Sequence, residues 1–217
     1  MSINLQKGQK IDLTKGGTGA VGGVGPNLRR VMVGLGWDEN KAPVETNSGG
    51  FFKNLFKSDP PTFDCDASAI LCGANGKAIS NDLWKCTVFY GRLQDDSGAI
   101  VHQGDNLTGA GEGDDEQIMV DLSRVPMNIE KIVFTVNIYD ARPKNQHFGM
   151  IKNAFIRLVN MDNNTEICRF NLSENYNNMT GLIVGEIYRR NGDWKFNAIG
   201  QPVSEASRIS ELVKLFV

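Results

Sequence analysis

The segment 104–116, GDNLTGAGEGDDE, holds five acidic residues and four glycines in thirteen positions. Asp105, Asn106, Asp114, Asp115 and Glu116 supply side-chain oxygens. Gly104, Gly109, Gly111 and Gly113 let backbone carbonyls turn inward, because glycine reaches conformations closed to other residues. Hard cations such as calcium take roughly six to eight oxygen ligands of these kinds. A solvated acidic loop accounts for the same composition equally well. The segment is not an EF-hand. Asp105 and Glu116 have the spacing of such a loop's ends, but Leu107, Gly109 and Ala110 stand where two ligands and the turn glycine belong. Its flanks, GAIVHQ and QIMVDL, read as strands, whereas an EF-hand needs helices.

A second acidic pair lies in FDCDAS, residues 63–68. In a strand Asp64 and Asp66 share one face with Ser68, while Phe63, Cys65 and Ala67 point the other way, toward a core. Two neighbouring carboxylates repel unless a cation or a proton lies between them, or unless water solvates both. Asp38 and Asp140 each end an apolar strand candidate and can join the same pole of a sandwich; taken singly, each reads as a turn residue.

Other chemistry has little material. The string Gly17-x-Gly19-x-x-Gly22 matches a dinucleotide fingerprint but lacks the preceding strand and following helix that give it meaning. The chain has two histidines, His102 and His147, and neither a GxSxG nor an HExxH motif. His102 reads as a strand-end residue beside the acidic loop, and His147 as part of the loop PKNQHFG. A triad assembled from distant residues leaves no sequence signal, so that option stays open here.

The elements that must position these acids are mostly strands. INLQKGQKIDLTK alternates about Gly8 and predicts a hairpin. RRVMVGLGW, FDCDASAIL, KCTVFYGRL, GAIVHQGD, EQIMVDL, EKIVFTVNIYD, AFIRLVN, TEICRFNL, TGLIVGEIYRRNG and DWKFNAIG follow as strand candidates, separated by turn signals such as Asn75-Gly76 and Asn191-Gly192. The pattern predicts an all-β protein, an antiparallel β-sandwich with a short C-terminal helix. In that helix Ile209, Leu212, Val213 and Phe216 fall at helical spacing behind Ser204 as a candidate cap, and packing on the domain is the favoured role. Segment 51–57, FFKNLFK, lies between glycines and prolines as an inserted element: core, partner-docking patch or membrane-surface anchor.

The 217 residues suffice for one large domain, and 41% hydrophobic content for a sizeable core. A net charge of −2 argues against nucleic acid as a partner. Cys65, Cys72, Cys86 and Cys168 form no CxxC pair, so zinc-finger spacing is absent. The N-terminal sequence has no apolar run typical of a signal peptide, and no stretch reaches the roughly 18 apolar residues of a membrane span. A cytoplasmic protein with reduced thiols is the expectation.

In order along the chain, MSINLQKGQKIDLTK, VMVGLGWD, FDCDASAILCGANGK, VHQGDNLTGAGEGDDEQIMVDL, IEKIVFTVNIYDA, FGMIKNAFIRLVN, TEICRFNLSEN and GEIYRRNGDWKFNAIGQ resemble the motifs of the TerD family of tellurium-resistance and general-stress proteins. The resemblance spans most of 1–15 and 28–201 and sets apart an insertion at 39–62 and a helical tail at 202–217. It implies a β-sandwich that binds calcium through acidic loop residues, a cytoplasmic or membrane-associated role in resistance to tellurite and other stresses, and no enzymatic activity. The ligands it implies are Asp64, Asp66, Asp105, Asn106, Asp114, Asp115 and Glu116 with carbonyls of Gly109, Gly111 and Gly113, and more weakly Asp38. That many side-chain ligands exceeds what one ion needs, so two neighbouring calcium ions are expected. The protein is then a non-enzymatic scaffold whose partners are other stress-response proteins. The alternatives are a calcium-dependent membrane-docking module, with peripheral contact at the inner face of the membrane through 51–57 or the tail, and a metal-assisted phosphoesterase.

Overall fold

The computed structural model describes residues 2–14, 28–39, 63–104, 113–172 and 176–217, with Asp38 and Glu39 described by backbone alone. The inserted segment 51–57 and the Gly-rich stretch 16–27 lie outside the described residues. Among the described residues twelve strands form two six-stranded sheets. In the first sheet the order is β1 (Ile3–Leu5), β10 (Thr165–Asn171), β9 (Ile151–Asn160), β3 (Arg30–Glu39), β7 (Glu116–Asp121) and β6 (Ile100–His102). In the second it is β2 (Lys10–Asp12), β12 (Asp193–Val203), β11 (Gly181–Arg190), β8 (Lys131–Ile138), β4 (Cys65–Cys72) and β5 (Thr87–Val88). Every pairing is antiparallel except β1 with β10. The expected all-β sandwich with a short C-terminal helix is the fold that forms.

Period-2 alternation explains which residues meet between the sheets. Val31, Val33, Leu35 and Trp37 of β3, Ile118 and Val120 of β7, Cys65, Ala67, Ala69 and Leu71 of β4, and Ile132, Phe134, Val136 and Ile138 of β8 share one core. The outer face of the second sheet is covered as well. Ile70, Cys72 and Val133 pack with Ala206, Ile209, Leu212 and Val213 from the C-terminal segment, where a short helix (Ile209–Val213) lies. Burying each of those helical side chains contributes about 1.5–3 kcal/mol before the entropy of ordering the tail is subtracted.

Three local expectations differ from what forms. The N-terminal strands are not a hairpin: β1 joins β10 and β2 joins β12, in different sheets. Gly8 makes this passage with φ +79° and donates its N–H to the carbonyl of Ala198 on β12 at 2.7 Å, so the turn is held from outside. The stretch KCTVFYGRL begins inside a helical turn, α1 (Leu83–Cys86), started by the Asp82 side chain accepting from Trp84 N–H; only Thr87–Val88 is strand. The tail helix starts after Arg208 rather than Ser204, and its first turn carries no side-chain cap. Glu211 instead reaches back to the Ser207 N–H at 2.7 Å.

Candidate metal centre

The two acidic segments meet at one end of the sandwich. The end of β3, the start of β4, the end of β6 and the start of β7 all reach this pole. Glu116 opens β7 on its inward face. Its carboxylate crosses between the sheets and accepts the Ala67 N–H of β4 at 2.5 Å. This N–H is available because β5 pairs with β4 only at Ala69 and Ile70, leaving the start of β4 as an edge. His102 of β6 lies beside Glu116, its Nε2 3.4 Å from Oε2. Its Nδ1 accepts the Gly104 N–H at 3.1 Å, so in the neutral ring the proton sits on Nε2, toward Glu116. Glu116 is 2% exposed and Asp66 4%.

Asp66 keeps the face predicted for it. Cys65 and Ala67 enter the core while Asp66 and Ser68 stand on the outer face of the second sheet. That face is not open water, because the C-terminal segment covers it. Asn137, directly across on β8, donates Nδ2 to Asp66 at 3.0 Å and to the Ser207 carbonyl at 3.4 Å. Asp115 turns inward, its carboxylate accepting the Trp37 N–H at 2.8 Å, while its own N–H donates to Leu35. Burial pushes the Cys65 thiol well above its ordinary value, and the charges of Asp66, Glu116, Asp64 and Asp115 push it further the same way. The charges of four carboxylates are thus felt at one buried sulfur.

Asp114 goes elsewhere. It lies on the outer face of the first sheet with its side chain fully buried. Arg157 of β9 grips both of its oxygens, Nε to Oδ1 at 2.7 Å and Nη2 to Oδ2 at 2.9 Å. The carboxylate rests on Gly34 of β3, where any Cβ would stand 2.4 Å from its carbon and both oxygens. The carbonyl of Gly113 similarly packs on Gly36. The neighbouring strands carry on the ion pairing: Arg157 also holds Glu166 at 3.2 Å, which Arg169 holds at 3.0 Å and Ser2 Oγ at 2.6 Å.

Of the other residues expected to hold metal, Asp38 is described only as a backbone position of β3 opposite Lys152. Asp105, Asn106, Gly109 and Gly111 lie outside the described residues. Among the described residues no three His, Cys, Asp or Glu side chains are placed to share one ion. Asp64, Asp66, Asp115 and Glu116 at this end of the sandwich offer donors that are all oxygen and all anionic, the chemistry a hard cation requires. Gly34, Gly36, Arg157 and Asn137 were not singled out from sequence. The two glycines carried a signal, since glycine inside an apolar strand marks close approach of another chain segment.

Two packed sheets with an acidic pole define a β-sandwich whose distinctive chemistry is anionic oxygen gathered at one end. The TerD domain model matches residues 1–216, and the chain belongs to the TerD family. It is 46% identical over 217 residues, all of both chains, to stress response protein SCP2 of Bacillus subtilis (strain 168). To tellurium resistance protein TerD of Serratia marcescens it is 41% identical over 201 residues, 93% of this chain and 91% of the relative. Among solved structures, a homologue of telluride resistance protein (TerD) from Streptomyces coelicolor A3(2) superposes with a TM-score of 0.57 at 20% identity, covering 82% of this chain and 92% of that one. At that identity the likeness speaks to fold alone. Among the described residues no helix is long and apolar enough to cross a membrane.

Proposed function

We propose that this chain is a calcium-binding stress-response protein, acting in resistance to tellurite and other stresses as a non-enzymatic scaffold. The stress role follows from its relatives, named as stress-response and tellurium-resistance proteins along nearly their whole length. One observation carries the calcium reading: the carboxylates of Asp64, Asp66, Asp115 and Glu116, from one end of the sandwich, all act electrostatically on the buried Cys65. Gathering like charges raises the free energy of the fold unless something positive joins them. Bound calcium supplies that charge. In this reading these four residues hold two ions together with Asp105, Asn106 and the glycine carbonyls of the loop. The non-enzymatic reading draws support from the relatives, which are named as stress-response and tellurium-resistance proteins.

A ligand that binds only the folded chain stabilises it by mass action. Millimolar calcium is expected to raise the melting temperature clearly above that in chelator, while equal magnesium raises it less. Asp115→Asn combined with Asp64→Asn is expected to abolish most of the rise. A melting curve indifferent to calcium sinks the proposal.

A further inference from the structure

Asp114 and Asp115 are neighbours in an acidic run, and composition alone treats them as equivalent ligands. Their surroundings are opposite. Asp115 hydrogen-bonds backbone of β3 at both ends, its N–H to the Leu35 carbonyl and its carboxylate to the Trp37 N–H, while Asp114 faces Arg157. It is bound at both oxygens by one guanidinium, with Gln117 Nε2 at 3.4 Å on its flank. Its seat is built by the sheet: Gln117, Gly34 and Arg157 lie on one cross-strand row, with Arg169 and Asn4 continuing it. Only a residue without a side chain, Gly34, leaves room for the carboxylate in that row. The resulting chain of contacts, Asp114–Arg157–Glu166–Arg169, balances two acids against two arginines. Asp115 follows immediately, with its N–H on Leu35 and its carboxylate on the Trp37 N–H.

We infer that Asp114 is not a calcium ligand but a positioning residue. With Arg157 as its resident counter-ion, it clamps the chain onto β3 and so delivers Asp115 and Glu116 to the pole where the other carboxylates gather. A carboxylate held at both oxygens has to give up a bidentate, buried ion pair before it can ligate a metal, leaving Arg157 to find another partner. The inference rests on the calcium reading for what the clamp serves, though the clamp itself does not.

The test is calcium titration calorimetry on the full chain, wild type against Asp114→Asn, Arg157→Gln, the double variant and Asp115→Asn, beside melting curves in chelator. Asp114→Asn and Arg157→Gln are expected to keep the wild-type number of calcium ions per chain, with affinity falling less than tenfold. The double variant is expected to be no worse than either single one, since both break the same contact. Asp115→Asn is expected to lose an ion or at least a hundredfold in affinity. In chelator each single clamp variant is expected to melt several degrees low, and their effects are expected not to add.

Loss of an ion in Asp114→Asn overturns the inference. So does tighter calcium binding by Arg157→Gln, the result if Arg157 competes with the metal for Asp114. Should the wild type bind no calcium, the functional proposal fails by itself. The clamp is then judged in chelator alone, where additive effects at 114 and 157 overturn it.

Discussion

Asp114 and Asp115 differ by one position and end on opposite sides of the first sheet. Strict alternation would send Asp114 and Glu116 to one face, but the bend at Asp115, just before β7 begins at Glu116, breaks it and separates them. Asp114 meets Arg157 on the outer face, and its charge is neutralised inside the protein. Asp115 gives its carboxylate to the Trp37 N–H near the end of β3, and Glu116 reaches between the sheets to the Ala67 N–H of β4. The same residue type serves as an anchor on one face and as part of an anionic pole on the other. Which it becomes depends on β9, where Arg157 stands 43 positions away in sequence. An acidic cluster is thus not a unit of function until the faces its members occupy are known.

The sharpest way to break this contrast is at the anchor's seat. Gly34→Ala places a methyl group 2.4 Å from all three carboxyl atoms of Asp114, and Arg157 prevents the carboxylate from yielding. Overpacking of this kind is expected to destabilise the protein by about 1–3 kcal/mol, toward the upper end here. In an Asp114→Ala background the obstructing atoms are gone, and the added methyl should then cost little. Urea denaturation in chelator measures both. Equal costs in the two backgrounds would mean that the clash does not involve Asp114.

On the other face the matching change is Glu116→Gln. Ala67 N–H and His102 Nε2 both face Oε2, so an amide oxygen placed there keeps both neighbours while the N–H2 group takes the Oε1 position. In chelator a loss of about 1 kcal/mol or less is expected, because hydrogen bonds to a neutral amide are weaker than those to a carboxylate while one negative charge is removed. In calcium the same variant is expected to lose most of the thermal stabilisation. The contrast with Gly34→Ala is the useful reading: one defect is insensitive to calcium and the other depends on it.

Much of this arrangement was legible in the sequence. Alternation located the strands and assigned Cys65 and Ala67 to the core and Asp66 to the opposite face. The order of motifs pointed to the family. The unread part depends on which strands become neighbours. The Gly8 turn looks like a hairpin because both flanks alternate, and only β10 and β12 draw those flanks into separate sheets. The partner of Asp114 was hidden for the same reason, since an isolated arginine in AFIRLVN reads as a solvated residue until β9 lies beside β3. The two glycines of VGLGW were the overlooked clue, because they mark where residues 113–114 press on the strand.

The smallest expected effect lies at the far end of the clamp and tests whether its charges act together. Burial alone raises the Glu166 carboxyl, but hydrogen bonds from Arg169, Ser2 and Arg157 outweigh it and hold the group below its ordinary value. A carboxylate depressed in the folded state adds stability that is fully present above its unfolded pKa, about 4.3, and is lost as pH falls through the folded value. Glu166→Gln removes that contribution. With these side chains partly solvent-exposed, the loss at pH 7 is expected to be under about 1 kcal/mol. The gap between variant and wild type should narrow as pH falls below that value and close near pH 2. If the clamp acts as one chain of charges, the gap should also shrink at neutral pH in an Arg157→Gln background, because Arg157 then no longer couples Glu166 to Asp114. Melting curves at several pH values in both backgrounds measure this, and a gap of constant size would show that Glu166 serves only Arg169 and Ser2.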